Sequence, residues 1–125
     1  MDKHKLHNDN FIDALKNAIS GLMYTVKTQL NIKRQIAIGV FVIAISLLLK
    51  IPKIEFMFLI FSIALVIFAE TVNTAIETVV DMYTEKYNEK AKIAKDVGAG
   101  AVLVCSINSI VIAIIVFAER IINFL

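Results

Sequence analysis

The 125-residue sequence contains no tryptophan, one proline and one cysteine. A lone cysteine excludes an internal disulfide, and Cys105 lies in an apolar run where a helix-packing role is favoured. The net charge of +2 is too small to indicate a nucleic-acid partner. The first ten residues, MDKHKLHNDN, carry no apolar stretch behind their positive charges, so we expect no cleaved secretory signal.

Hydrophobic residues, by contrast, are abundant. They make up 58% of the chain, against roughly 45–50% in soluble domains, and they are concentrated in three blocks. These blocks predict transmembrane helices at 32–51, 54–82 and 97–118, with a turn around Pro52 between the first two. The second would be about 42 Å long, longer than a hydrocarbon core of roughly 30 Å. Its polar end must therefore emerge from the membrane.

The segment before these blocks has a different pattern. Residues 1–10 form a polar tail, and 11–31 form a predicted helix with apolar residues at helical spacing. Charged residues interrupt this helix too often for it to span, so it is predicted to lie in the membrane interface. An ordinary soluble amphipathic helix is the alternative, which the apolar blocks that follow disfavour. The predicted fold is thus a single all-α membrane domain, with one surface helix and three transmembrane helices.

The positive residues predict the orientation of these helices. Six Lys or Arg residues precede residue 36 and four lie between the second and third spans, against three on the other side. Because cytoplasmic segments carry the excess of Lys and Arg, the N-terminus is predicted inside and the C-terminus outside. The polar end of the second span then faces the cytoplasm.

That polar end, AETVNTAIETVVD at 69–81, contains Glu70, Asn73, Glu77 and Asp81. At about 100° per residue, the four share one helix face about 80° wide. Glu70 is deepest, and Asp81 lies about 16 Å further along the axis. A helix end in the headgroup zone would tolerate these charges but would not explain their single face. Intramembrane carboxylates are costly and usually functional, so this face is predicted to be a functional site.

Two classes of protein could use such a face. A transporter or channel subunit would place carboxylates along a path through the membrane. Here the polar face ends at one interface, and the other two spans are uncharged within. This asymmetry favours a site between lipid and cytosol over a through-path, with a small non-enzymatic transporter or channel subunit as the alternative.

A second polar stretch, KIAKDVGAGA, precedes the third span. A helix N-terminus at Lys95 and Asp96 would offer unpaired N–H groups and a positive dipole end to phosphate. Alternatively, Asp96 is a simple N-cap and Lys95 extends to the interface. Carboxylates, Mg²⁺ and a lysine together suit a nucleoside triphosphate. The chain has no G-x-x-x-x-G-K-S/T loop and no soluble protein-kinase motif, so ATP binding would use an unfamiliar nucleotide site.

AETVNTAIETVVD together with AKDVGAGAVL closely resembles the signature of the small prokaryotic diacylglycerol kinase family, which includes undecaprenol kinases. The resemblance covers about residues 11–118. It implies a homotrimer of such chains, with sites shared between neighbouring subunits in the bacterial cytoplasmic membrane. It also implies transfer of the γ-phosphoryl group of MgATP to the hydroxyl of a membrane lipid, on the cytoplasmic side.

The resemblance also implies roles for individual residues. Glu70 resembles the catalytic base that accepts the proton of the lipid hydroxyl, with Asn73 beside it in the catalytic group. Glu77 resembles a ligand of the metal that bridges the ATP phosphates. The remaining matches are nucleotide-site residues: Asp81, Lys86, Tyr87, Asn88, Lys95 and Asp96.

Two further residues come from the N-terminal helix. Where some family members carry a glutamate as a second metal ligand, this chain has Gln29, whose amide oxygen can bind Mg²⁺ but brings no charge. Asn17 matches a position near the nucleotide. For the acceptor, the absence of tryptophan and the stretch TQLN favour undecaprenol over diacylglycerol.

Overall fold

The computed structural model describes residues 10–125 as four helices: α1 (Phe11–Thr28), α2 (Leu30–Leu48), α3 (Lys53–Tyr83) and α4 (Glu89–Phe124). The predicted all-helical architecture is confirmed, and α2, α3 and α4 are each long and apolar enough to cross a membrane. Of the predicted polar tail, residues 1–9 lie outside the described part of the chain. Asn10 caps α1, where its Oδ1 accepts a hydrogen bond from the Asp13 N–H at 2.9 Å.

The helices differ in extent from the apolar blocks. α4 begins at Glu89 rather than near Val97, because the Lys, Glu and Ala residues before the uncharged run are good helix formers. Asn88 provides its N-cap, accepting a hydrogen bond from the Ala91 N–H at 3.0 Å. The helix therefore extends from the polar loop through the apolar run without a break.

The turn between α2 and α3 begins with a Schellman motif. The N–H of Ile51 donates to the Ser46 carbonyl at 3.0 Å, and the N–H of Lys50 donates to the Leu47 carbonyl at 3.3 Å. Lys50 has a φ of 52°, a left-handed conformation that glycine usually occupies. Pro52 follows and starts α3.

α3 is the central helix, since it packs against both α4 and α2 and also contacts α1. Its contact with α4 is fixed at two depths. Ser109 donates a hydrogen bond to the Ser62 carbonyl at 3.2 Å, and Arg120 forms an ion pair with Glu55 at 2.6 Å. The α3–α4 pair is therefore the frame on which the polar face of α3 is held.

The apolar core within one chain is small. Among the described residues, its buried hydrophobic side chains are Ile32, Leu59, Val66, Ala69 and Val116. In the same part of the chain α2 and α4 make no close backbone contact, and an apolar groove of about 600 Å³ lies between them. Many large apolar side chains thus face outward, as lipid or neighbouring protein requires.

Candidate functional site

The four polar residues of α3 differ in burial in the order of their depth. Glu70 is 6% exposed and Asn73 is 9% exposed, Glu77 is partly exposed and Asp81 is exposed. α3 is one uninterrupted helix from Lys53 to Tyr83, so these residues keep a fixed spacing. The face therefore runs from a buried carboxylate to a solvated one.

Asn73 and Glu77 are joined by a hydrogen bond within α3. The Asn73 Nδ2 donates to Glu77 Oε1 over 3.1 Å, one helical turn further along. An ionised carboxylate only accepts hydrogen bonds, so the amide must present its nitrogen to it. This bond holds the Glu77 carboxylate beside the Asn73 amide.

Glu70 and Asn73 line a polar pocket of about 350 Å³. α2 supplies Asn31 and Gln35 to its wall, and α4 supplies Ala99, Val102, Leu103 and Ser106. A second pocket, of about 230 Å³ and mainly apolar, lies next to it because Gln35 and Ser106 line both. The polar pocket beside the buried Glu70 thus adjoins an apolar cleft.

A separate pocket of about 250 Å³ lies at the α3–α4 loop. It brings together five of the residues predicted for the nucleotide: Lys86, Tyr87, Asn88, Lys95 and Asp96. At its edge Lys95 Nζ lies 2.6 Å from Asp81 Oδ1, and Lys92 Nζ lies 2.5 Å from Asp96 Oδ2. The pocket is therefore lined by lysines and carboxylates that are close to solvent.

The expected helix N-terminus at Lys95 and Asp96 is wrong. α4 begins at Glu89, so the N–H groups of Lys95 and Asp96 lie within the helix and are not its unpaired ones. Asp96 is not an N-cap either, because that position belongs to Asn88. Lys95 and Asp96 contribute side chains to the loop pocket, not a helix dipole.

Gln29 and Asn17, like Glu77 and Asp81 of α3, are not among the residues that line the two polar pockets. Gln29 forms the break between α1 and α2 and does not cap α2 with its side chain. Asn17 is exposed on α1. Within residues 10–125, no group of three or more His, Cys, Asp or Glu side chains is arranged to hold a metal ion. Mg²⁺ commonly binds through one or two carboxylates, water and substrate phosphates, and the oriented Glu77 suits that mode.

Sequence reasoning missed three pocket residues: Asn31, Gln35 and Ser106. A signal for two of them was present, because Asn31 and Gln35 are amides at i, i+4 spacing beside an apolar run. Each alone resembles an ordinary polar residue near a membrane interface. Only the packing of α2 on α3 brings them opposite Glu70.

Comparisons with known proteins find relatives over most of the chain. The prokaryotic diacylglycerol kinase family matches residues 16–117. The chain is 32% identical to the undecaprenol kinase of Bacillus subtilis, over 94% of this chain and 95% of that protein. It is 38% identical to the diacylglycerol kinase of Synechocystis sp., over 82% of this chain and 59% of that protein. The match to the Escherichia coli diacylglycerol kinase, 38% identical, covers 55% of this chain and 57% of that protein.

The family match covers all four helices in whole or in part and includes both polar pockets. The relatives are named as an undecaprenol kinase and a diacylglycerol kinase. This chain, with three helices able to span a membrane, belongs to the prokaryotic diacylglycerol kinase family and is a lipid kinase that transfers phosphate to an alcohol acceptor.

Proposed function

We propose that the chain transfers the γ-phosphoryl group of MgATP to the hydroxyl of undecaprenol at the cytoplasmic surface of the bacterial cytoplasmic membrane. One observation carries the proposal. The buried Glu70 and the solvated Asp81 lie on one face of α3, and Lys95 of α4 pairs with Asp81 at its aqueous end, so a lipid hydroxyl and a water-borne nucleotide can meet along that face. The transporter or channel alternative is wrong as the primary function, because the chain belongs to a family of lipid kinases.

Glu70 is the proposed general base. Its carboxylate lines the polar pocket that opens toward the apolar cleft, where a lipid chain would place its terminal hydroxyl. The hydroxyl oxygen forms a bond to the γ-phosphorus while the bond between that phosphorus and the leaving ADP oxygen breaks. The hydroxyl proton passes to Glu70, and general-base assistance of this type contributes about 10²–10⁴-fold to the rate.

The loop pocket is the proposed nucleotide site. Lys95 and Lys86 carry the positive charge that phosphate requires. Tyr87, whose ring is largely exposed, is available for contact with the base or sugar. Asn88 acts indirectly, because its side chain caps α4 and so fixes the start of the helix that carries Lys95 and Asp96.

Glu77 is the proposed Mg²⁺ ligand. Bound Mg²⁺ would neutralise phosphate charge and help to orient the γ-phosphoryl group. Asn73 keeps the Glu77 carboxylate in position through its hydrogen bond. Asn17 of α1 and Gln29, at the break after α1, are proposed to approach the nucleotide. In a homotrimer, the same residues of a neighbouring subunit are an alternative source of these groups. The small apolar core of one chain supports assembly into a homotrimer. In that homotrimer, α1 would lie along the membrane surface.

Undecaprenol is preferred as acceptor because the match to an undecaprenol kinase extends over nearly the whole of both proteins. Diacylglycerol is the second candidate, favoured by the identity to diacylglycerol kinases over shorter regions. Both acceptors present a primary hydroxyl at the membrane interface. The same Glu70 chemistry would serve either.

The test is phosphorylation of defined lipids by the purified protein in vesicles. Undecaprenol or diacylglycerol is supplied at equal mole fraction with labelled ATP and Mg²⁺, and labelled lipid and released ADP are both measured. We expect one phosphate on lipid per ADP, with undecaprenol preferred. A preference for diacylglycerol would show that diacylglycerol, and not undecaprenol, is the acceptor. ADP release without lipid product would contradict the proposed reaction.

A further inference from the structure

We propose that Gly98 is a positioning residue of this kinase, because its missing side chain leaves the space in which the Asn73 amide holds Glu77. The inference rests on the proposed role of Glu77 as a metal ligand. It concerns a residue of α4 that contacts neither substrate directly. Gly98 acts through Asn73, across the contact between α3 and α4.

Gly98 is buried where α4 faces α3. A Cβ built on Gly98 would overlap the Oδ1 atom of Asn73, while the next side chain, Ile76, would be in ordinary contact at 3.5 Å. Asn73 is only 9% exposed, so its amide cannot simply turn out to solvent. Any side chain at position 98 must therefore displace the Asn73 amide or separate the two helices.

The orientation of the amide makes this contact specific. Its nitrogen donates to Glu77, and its Oδ1 atom is buried and has no hydrogen-bond donor among the described residues. Turning the amide over would bring its oxygen against the Glu77 carboxylate, which is repulsive. The oxygen is thus directed at Gly98, while the nitrogen donates to Glu77.

Gly100 provides a matched comparison on the same helix. A Cβ at Gly100 would meet no described atom within 4 Å. Both glycines lie in helix α4, so an alanine changes helix propensity equally at each. A difference between the two substitutions then reports the contact with Asn73 and not the loss of a helical glycine.

The experiment measures Mn²⁺ binding to the full chain in detergent by electron paramagnetic resonance, with a non-hydrolysable ATP analogue present to supply the phosphate ligands, together with lipid phosphorylation and the thermal midpoint. The variants are Gly98→Ala, Gly100→Ala, Asn73→Ala and the double variant Asn73→Ala with Gly98→Ala. We expect Gly98→Ala to weaken Mn²⁺ binding about tenfold, as losing the partner of a metal ligand does. Gly100→Ala should change it by less than about twofold.

The double variant tests whether Gly98 acts through the Asn73 amide. When Asn73 is already alanine, its amide is gone, so Gly98→Ala should add less than about twofold to the loss. If Gly98→Ala alone fails to fold, the double variant should restore folding for the same reason. The inference would be overturned if Gly98→Ala lowered the Mn²⁺ affinity equally with and without the Asn73 amide. It would also be overturned if Gly98→Ala and Gly100→Ala lowered that affinity equally.

Failure of the proposed function gives a different result. A native protein that phosphorylates lipid but binds no Mn²⁺ would contradict the metal role of Glu77, and the inference would fall with it. Native Mn²⁺ binding that Gly98→Ala leaves unchanged would contradict the inference alone. The two outcomes are distinguished by the native protein before any variant is compared.

Discussion

The Lys95 ammonium lies 2.6 Å from the Asp81 carboxylate, and this ion pair joins the polar end of α3 to the beginning of α4. Both side chains are about half exposed, at 42% and 53%. An exposed pair of this kind contributes little to stability. Its importance is instead that it holds a lysine at the edge of the loop pocket in a defined position.

Lys95→Ala should therefore weaken ATP binding more than it weakens folding. Loss of one charged hydrogen bond to phosphate predicts a rise in the KM for ATP of about tenfold or more, with the thermal midpoint nearly unchanged. Lys90→Ala is the control, since Lys90 is exposed on the same helix but does not line the pocket. Steady-state kinetics with ATP as the varied substrate measure this. Equal KM values for the two variants would argue against a nucleotide contact at Lys95.

Glu70→Gln should abolish catalysis while leaving the protein folded. Glutamine keeps the size and polarity of the side chain but cannot accept the hydroxyl proton, so kcat is expected to fall about 10²–10⁴-fold. The assay is labelled phosphate transfer to lipid, with gel filtration as the check on assembly. Glu119→Gln, an exposed carboxylate outside both polar pockets, should retain activity. Near-normal turnover by Glu70→Gln would contradict the role of Glu70 as the general base.

Gln29→Glu tests the departure of this chain from its family. If Gln29 approaches the metal, a carboxylate there should lower the Mg²⁺ concentration for half-maximal activity about tenfold, because a charged oxygen binds Mg²⁺ better than an amide. Glu77→Gln should shift the same titration in the opposite direction. A Mg²⁺ titration that moves with Glu77 but not with Gln29 would leave Glu77 as the ligand and exclude Gln29.

Lys50→Gly should stabilise the fold. Lys50 has a φ of 52°, and a non-glycine residue in this region costs roughly 1–2 kcal/mol, part of which glycine loses to chain entropy. A net gain of about 0.5–1 kcal/mol in the free energy of unfolding is expected. Lys16→Gly, on the exposed surface of α1, should lower it by about 1 kcal/mol. Denaturant unfolding in detergent gives both values, and destabilisation by Lys50→Gly would contradict the left-handed turn.

The helices could be predicted from sequence because their signals are local. Three apolar blocks and a polar face at helical spacing depend only on the order of residues along one element. The predicted helix at 54–82 differs from α3 by one residue at each end. The apolar run at 97–118 predicts only part of α4, because the helix begins eight residues before that run. Its polar first turns are helical owing to propensity and the Asn88 cap.

The pocket walls could not be predicted in the same way. Asn31 and Gln35 reach the polar pocket only through the packing of α2 on α3, which no local pattern encodes. The overlap between Gly98 and Asn73 likewise depends on how closely α4 approaches α3. Motif recognition identified which residues of α3 are polar and aligned, whereas helix packing determines what faces them.

α3 runs unbroken from Lys53 to Tyr83, so the buried Glu70 end and the solvated Asp81 end of its polar face are held at a fixed separation. Under the proposed function, the Glu70 end would set the depth of the lipid and the Asp81 end the position of the nucleotide, so one backbone would position both. One residue inserted between Asn73 and Glu77 would turn the aqueous half by about 100° relative to the lipid half. Such a chain would retain all four polar residues, but Glu77 and Asp81 would no longer share a helix face with Glu70 and Asn73.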